Sequence, residues 1–225
     1  LSIYEHDLTI HFDQLAARSI RLSKELSLVL KEWLDEKNIH FSELEGNADA
    51  IVNAQLRLYE PLRHGIETTD CSGAFFILDT SASMDDFASD KSKSGLYLKI
   101  CNLNVGRPVD MKILQYWGST YVGKYYGLEY HNMWALESVA EHFPDYDRIV
   151  KNALPDLNAC YYLSDTTKLP GTWENVMLMC VPIIGENGDV YGICGFEISK
   201  VFYKLFYMQP GTEPHLTGLL TKRQG

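Results

Sequence analysis

The chain has no run of about 18 consecutive apolar residues, which excludes a membrane-spanning helix within it, and its first residues lack the basic, apolar and cleavage regions of a secretory leader. Positive charge is also scarce. Twenty Lys and Arg stand against 30 Asp and Glu, and the basic residues are scattered; the resulting net charge of −10 works against a nucleic-acid surface, which needs clustered cations. Cysteine is present without a framework. Cys71, Cys101, Cys160, Cys180 and Cys194 are odd in number and show no Cys-x-x-Cys spacing, which disfavours a zinc knuckle or a full disulfide scaffold. Their expected role is that of small buried hydrophobes, with one disulfide of unassigned pairing left open.

The motifs of catalysis are missing too. Gly-x-Ser-x-Gly, a phosphate-binding glycine loop and His-Glu-x-x-His do not occur, and no Cys lies in a nucleophile motif. His6 and His11 are five apart and His131 and His142 eleven apart, spacings that do not place two imidazoles on one helical face around a metal. Neither an enzymatic activity nor a cofactor is expected.

What the 225 residues do offer is 46% hydrophobic content, enough for a sizeable core in one large domain with or without appendages. Residues 3–38 contain no Gly or Pro, and Leu8, Phe12, Leu15, Leu22, Leu26, Val29 and Trp33 recur in steps of four and three with Ser19 as the polar interruption. This spacing predicts one long amphipathic helix of about 50 Å with a coiled-coil-like stripe, suited to a parallel dimer. A second helix is expected over residues 41–64, with Ser42 and Glu45 as a capping box and Pro61 disturbing its end.

Strands are expected at 73–79, 96–101, 159–163, 176–184 and 190–198, the last two joined through Asn187-Gly188, a pair that tolerates positive φ and is a strong hairpin signal. Residues 199–206 read as an exit helix. The aromatic-rich stretch from Leu103 to Leu157 reads as a helical insert, with helices at 131–142 and 145–153 broken by Pro144 and Pro155. Alternating βα units are absent, so the expectation is an α+β fold rather than a doubly wound sheet.

The order of these elements carries a family likeness. A long leading helix, the strand at 74–79 ending in an acidic loop, Cys160-Tyr161-Tyr162-Leu163-Ser164-Asp165, and the closing hairpin into Glu197 and Ser199 together resemble the extracellular Cache sensor domains, PAS-like modules of bacterial transmembrane receptors. The resemblance covers most of residues 3–207. It implies a PAS-like antiparallel five-stranded sheet with a long N-terminal helix and a helical insert. Domain limits follow: a signalling helix at 1–40, a membrane-distal unit at 41–209, and the start of a truncated membrane-proximal unit at 210–225.

The chain begins at Leu1 without an initiator Met, as would a piece cut from a longer, membrane-anchored protein. By this resemblance it is the extracellular small-molecule sensor of a receptor, with a sensor histidine kinase as the leading output and a diguanylate cyclase or chemoreceptor as alternatives. A cytoplasmic PAS or GAF regulatory module is the competing reading.

In this family a ligand sits between the concave face of the sheet and its covering helices and loops. The amino-acid-binding subset carries an Arg-x-Trp-Tyr cluster for the carboxylate and an acidic residue on the last strand for the amine. Here Gln115 stands at the Arg position and Gly118 at the final Tyr position, Arg107 is eight residues before Gln115, and Glu197 matches the acidic position. An amino acid therefore becomes one option beside an amine or an organic acid, because an amide does not replace a bidentate guanidinium. Tyr97, Tyr116, Trp117, Tyr121, Tyr161 and Trp173 are the candidate aromatic walls. Lys99, alternating with apolar neighbours, is the candidate partner of an anionic ligand, and Asp165 and Glu174 border the loop before the hairpin.

Overall fold

The fold was obtained as a computed structural model, which describes residues 2–83, 92–101, 103, 114–130, 137–139, 143–156, 160–169, 172 and 174–207. The uninterrupted helical pattern at the start forms α1, Ser2–Lys37. Its end has a specific cause. Asn38 takes φ 54°, and the bonds Ile39 N–H to Leu34 O (3.1 Å) and Asn38 N–H to Asp35 O (3.1 Å) close a Schellman motif. A short 3-10 turn, Phe41–Leu44, then leads into α2, Ala48–Thr68.

The capping differs from expectation. Glu43 rather than Glu45 closes the box, accepting the His40 N–H at 2.6 Å, while the Asn47 side chain caps α2 by accepting from the Ala50 N–H at 3.0 Å. Glu45 is used elsewhere: it accepts from the Thr80 hydroxyl (3.1 Å) and the Ser81 N–H (2.9 Å), tying this turn to the end of the first strand. Pro61 does not end α2, which buries Ile51, Ala54, Leu58, Leu62 and Ile66 on one face.

The sheet is formed by β1 (Gly73–Leu78), β2 (Ser92–Ile100), β3 (Leu114–Trp117), β4 (Glu129–Tyr130), β5 (Glu137–Val139), β6 (Tyr162–Leu163), β7 (Val176–Ile184) and β8 (Val190–Ser199). Three further helices are α3 (Thr120–Tyr125), α4 (Tyr146–Lys151) and α5 (Lys200–Tyr207). The strand order is β4-β3-β2-β1-β8-β7-β6, with β5 pairing β2; every pairing is antiparallel except β3 with β4.

The five strands expected from sequence form the contiguous block β2-β1-β8-β7-β6. The expected helical insert is corrected: described residues of that region add β3, β4 and β5, and Glu137–Val139, placed in a helix by sequence, pairs instead with Ser92, Lys93 and Ser94. The rest of the helix expected at 131–142 lies outside the described residues, as does the tail from 208. The helix expected at 145–153 forms as α4.

The Asn187-Gly188 hairpin is present with a different turn. The Gly188 N–H bonds to Gly185 O at 3.0 Å around Glu186 and Asn187, and of the two turn residues only Gly188 takes positive φ, at 84°. The loop is therefore longer than a two-residue turn that needs both residues left-handed.

Both sheet faces are covered. Helices α1 and α2 pack over Ala74, Phe76, Leu78, Leu96, Leu98 and Phe196, and the opposite face, with Phe75, Ile77, Tyr97, Leu178 and Ile193, is covered by Phe143, Leu169 and α4 through Tyr146 and Ile149. Cys180 and Cys194 fall on opposite faces of the sheet, buried as small hydrophobes. The stripe of α1 is consumed within this core from Leu15 onward, with Leu15, Leu22, Leu26, Leu30, Trp33 and Leu34 all buried. Leu22, 2% exposed, lies inside the core rather than on a free dimer seam.

Polar groups of α1 also join the sheet. Strand β6 covers the outer edge of β7 only at Met179 and Cys180, and beyond that point the hydroxyls of Ser23 and Ser27 donate to the carbonyls of Pro182 and Ile184, each at 2.7 Å. Pro182 has no N–H to offer, so the edge leaves carbonyls that the helix satisfies. Ser23→Ala, which strands a buried carbonyl, is expected to cost about 1–3 kcal/mol in urea unfolding, and Ser27→Ala, at a half-buried position, less. Equal stability of both variants to the parent would show that the two hydroxyls do not hold the helix to the edge.

Candidate functional site

The chemistry-bearing side chains converge where β1 begins. Gly73 pairs with Lys99 on β2 and with Glu197 on β8. Because Gly73 has no side chain, its two cross-strand neighbours meet over it; a Cβ there would come within 2.9 Å of Leu98 O, 3.2 Å of Glu197 Cβ and 3.3 Å of Tyr97 Cε1. Residues of one pleat face alternate along a strand, so Tyr97, Lys99 and Glu197 all stand on the face away from α1 and α2.

Glu197 is fully buried and fully engaged. Its Oε1 accepts from the Ser72 hydroxyl at 2.6 Å and from Lys99 Nζ at 3.0 Å, and its Oε2 accepts from the Tyr97 hydroxyl. Lys99 Nζ also reaches Glu174 Oε2 at 3.0 Å. Ser72 is held in turn: its oxygen accepts from the Ser199 N–H at 2.7 Å, and its own N–H donates to Glu197 O at 2.8 Å. Two carboxylates thus share one ammonium. A buried carboxylate persists in such a place only with this degree of pairing.

Tyr97 is fixed from its ring side as well, stacked on Phe75 at 5.7 Å and meeting Trp117 edge-on at 5.5 Å. Burial first, and the Glu197 carboxylate second, push the Tyr97 phenol well above its ordinary value. For Lys99 burial works downward, and the Glu197 and Glu174 carboxylates outweigh it, so the ammonium is held above its ordinary value. The cluster therefore stays as a neutral phenol and an ammonium through the neutral range.

Of the residues singled out by sequence, Tyr97, Lys99, Trp117, Glu174 and Glu197 come together. Lys99 finds the chain's own carboxylates as partners. Tyr116 points to the opposite, helix-covered face, where its hydroxyl donates to Ser119 O at 2.9 Å. One-residue alternation along β3 separates it from Trp117. Tyr121, 59% exposed on α3, and Tyr161, 46% exposed, do not wall this site, and Asp165 is exposed. Trp173 lies outside the described residues. Sequence reasoning missed Ser72, although the Ser72-Gly73 step into a buried strand was the available signal.

Both Tyr97 and Lys99 bind their protons more tightly folded than unfolded. The stability they confer is complete below their unfolded values, near about pH 10, and is lost as pH rises through the higher folded values. Urea midpoints measured between about pH 8 and about pH 11 are expected to fall, and Tyr97→Phe to flatten the fall. Parallel curves for parent and variant would remove Tyr97 from this account.

No family model matches the chain, and no curated protein matches it. Among solved structures, the periplasmic sensory domain of the Campylobacter jejuni chemoreceptor Tlp1 is similar, with a TM-score of 0.50 at 11% sequence identity. The likeness covers 94% of this chain and 62% of that one, so this chain spans less than two thirds of its neighbour's length. At this identity what the two share is the fold alone.

Proposed function

We propose that this domain is the extracytoplasmic small-molecule sensor of a membrane-anchored receptor, built as a Cache-type, PAS-like unit, and that it works by binding rather than by catalysis. The observation that carries the reading is the Tyr97–Glu197–Lys99–Glu174 network, a set of charges buried on a sheet face beneath a separate cover of α4 and its flanking loops. A face meant only for packing is cheaper to build from apolar residues, since desolvating paired charges is costly. The shared fold with a chemoreceptor's sensory domain supports the same reading.

In this proposal the ligand, an amino acid, amine or organic acid, enters between the sheet and its cover beside Trp117, Tyr97 and Glu197. Its differential affinity for two arrangements of sheet and α1 shifts the signalling equilibrium. The output is a histidine kinase, and residues 1–40, 41–209 and 210–225 are the signalling helix, the membrane-distal unit and the start of a proximal unit. A homodimer would use the part of α1 before Leu15, where Ile10 is 41% exposed.

A thermal-shift screen of amino acids, amines, purines, organic acids and sugars tests the site. A true ligand at about 100 times its Kd adds about 2.7 kcal/mol, and Trp117→Ala and Glu197→Gln should each weaken it at least about tenfold. A hit that binds parent and both variants alike places the site elsewhere. For the dimer, sedimentation of the parent and of Ile10→Glu should show an association in the first that is lost in the second; a monomeric parent sinks the idea.

A further inference from the structure

The far end of the domain carries a second concave surface that the sheet-face network does not use. The Schellman end of α1, the 3-10 turn after it and the β7–β8 turn enclose a groove of about 910 Å³. Its apolar floor is Leu34, Ile39, Phe41, Val190 and Tyr191. Leu34 and Ile39 are brought together by the helix-ending motif itself. Tyr191 is set by two contacts. Its ring lies 4.7 Å from that of Phe41, and it covers Gly185, where a Cβ would come within 2.5 Å of the Tyr191 hydroxyl oxygen.

The rim has one sign of charge in excess. Asp35, Glu45, Asp79, Glu186 and Asp189 line the groove with Lys31, and Lys93 pairs Asp79 from outside at 3.0 Å, so five carboxylates face two ammonium groups. Lys31 is divided between Asp35 (2.9 Å) and Glu186 (3.7 Å), and among the described residues Asp189 has no cationic partner. A concave, partly apolar surface focuses such a field on whatever enters it. The carboxylates are dispersed around the rim: among the described residues no group of three or more His, Cys, Asp or Glu side chains is placed to hold a metal ion.

We propose that this groove is a second ligand site, for an organic cation: an ammonium or guanidinium carried on a flat apolar body. The body packs against the apolar floor beside the Phe41–Tyr191 pair, and the charge meets Asp189 and Glu186 at the rim. Tyr191 and Glu197 are six steps apart on β8, roughly 20 Å at about 3.3 Å per residue, so the groove is separate from the sheet-face network and is occupied independently of it.

The test titrates the whole domain with 2-phenylethylamine, phenylacetate and 2-phenylethanol while recording backbone amide shifts. The amine is expected to give saturable shifts at residues 31–45 and 186–191, with the acid and the alcohol at least about tenfold weaker. Asp189→Asn, an exposed change that leaves the fold intact, and Tyr191→Leu should each weaken the amine about three- to tenfold, and Asp13→Asn, an exposed carboxylate on α1 outside the groove, should leave it unchanged. Absence of saturable shifts at those residues, equal binding of the alcohol or the acid, or full affinity in Asp189→Asn would overturn the proposal. Shifts at Tyr97, Lys99 and Glu197 would belong to the sheet-face reading, which stands or falls separately.

Discussion

The central strand, Gly73–Leu78, is buried along its whole length on both faces, and the rest of the architecture answers to that constraint. A sheet that is apolar on one face only can leave the other to water; here both faces need cover. The long helix and α2 supply one layer through alternate residues such as Phe76 and Leu98, and Phe143, Tyr146, Ile149 and Leu169 supply the other over Phe75, Ile77 and Tyr97. This explains why a helix that looks by sequence like a free coiled-coil strand spends its apolar stripe inside the domain.

Within that doubly covered sheet, a single missing side chain organises the polar chemistry. Gly73 opens a gap between β2 and β8 through which Lys99 and Glu197 meet, and Ser72 and Tyr97 complete the coordination of the carboxylate. Charge desolvation is the governing cost, and every oxygen of Glu197 is met by a donor. The network couples β2 and β8 with the residue before β1 and the segment before β7.

Strands β1, β2, β7 and β8 were legible in the sequence because each is a run of apolar or alternating residues bounded by turn signals, and α1 because nothing in 3–38 interrupts a helical period. The region from 103 to 157 was less so. Glu137–Val139 reads as helix from sequence and is a strand because Ser92, Lys93 and Ser94 present an edge for it. Of the candidate site, Lys99 could be named from alternation and Tyr97 and Trp117 from aromatic content, whereas Glu197 was implied only by the family resemblance, which puts an acidic residue on the last strand. The separation of Trp117 from Tyr116 was also implicit in alternation, but β3 had first to be known as a strand.

The sequence by itself determined the α+β class, the long helix, the closing hairpin and the presence of an acidic residue at position 197, since these follow from periodicity, turn chemistry and residue order. Only the tertiary structure decided that Glu197 is paired by Lys99, that Ser72 belongs beside it, that the stripe of α1 faces its own sheet, and that the end of α1 and the β7–β8 turn enclose an acidic groove. The physical reason is that local rules act over a few residues, whereas these contacts join positions about a hundred or more residues apart in the chain, such as Ser72 with Glu197 and Ser23 with Pro182, and exist only once strands have been placed side by side.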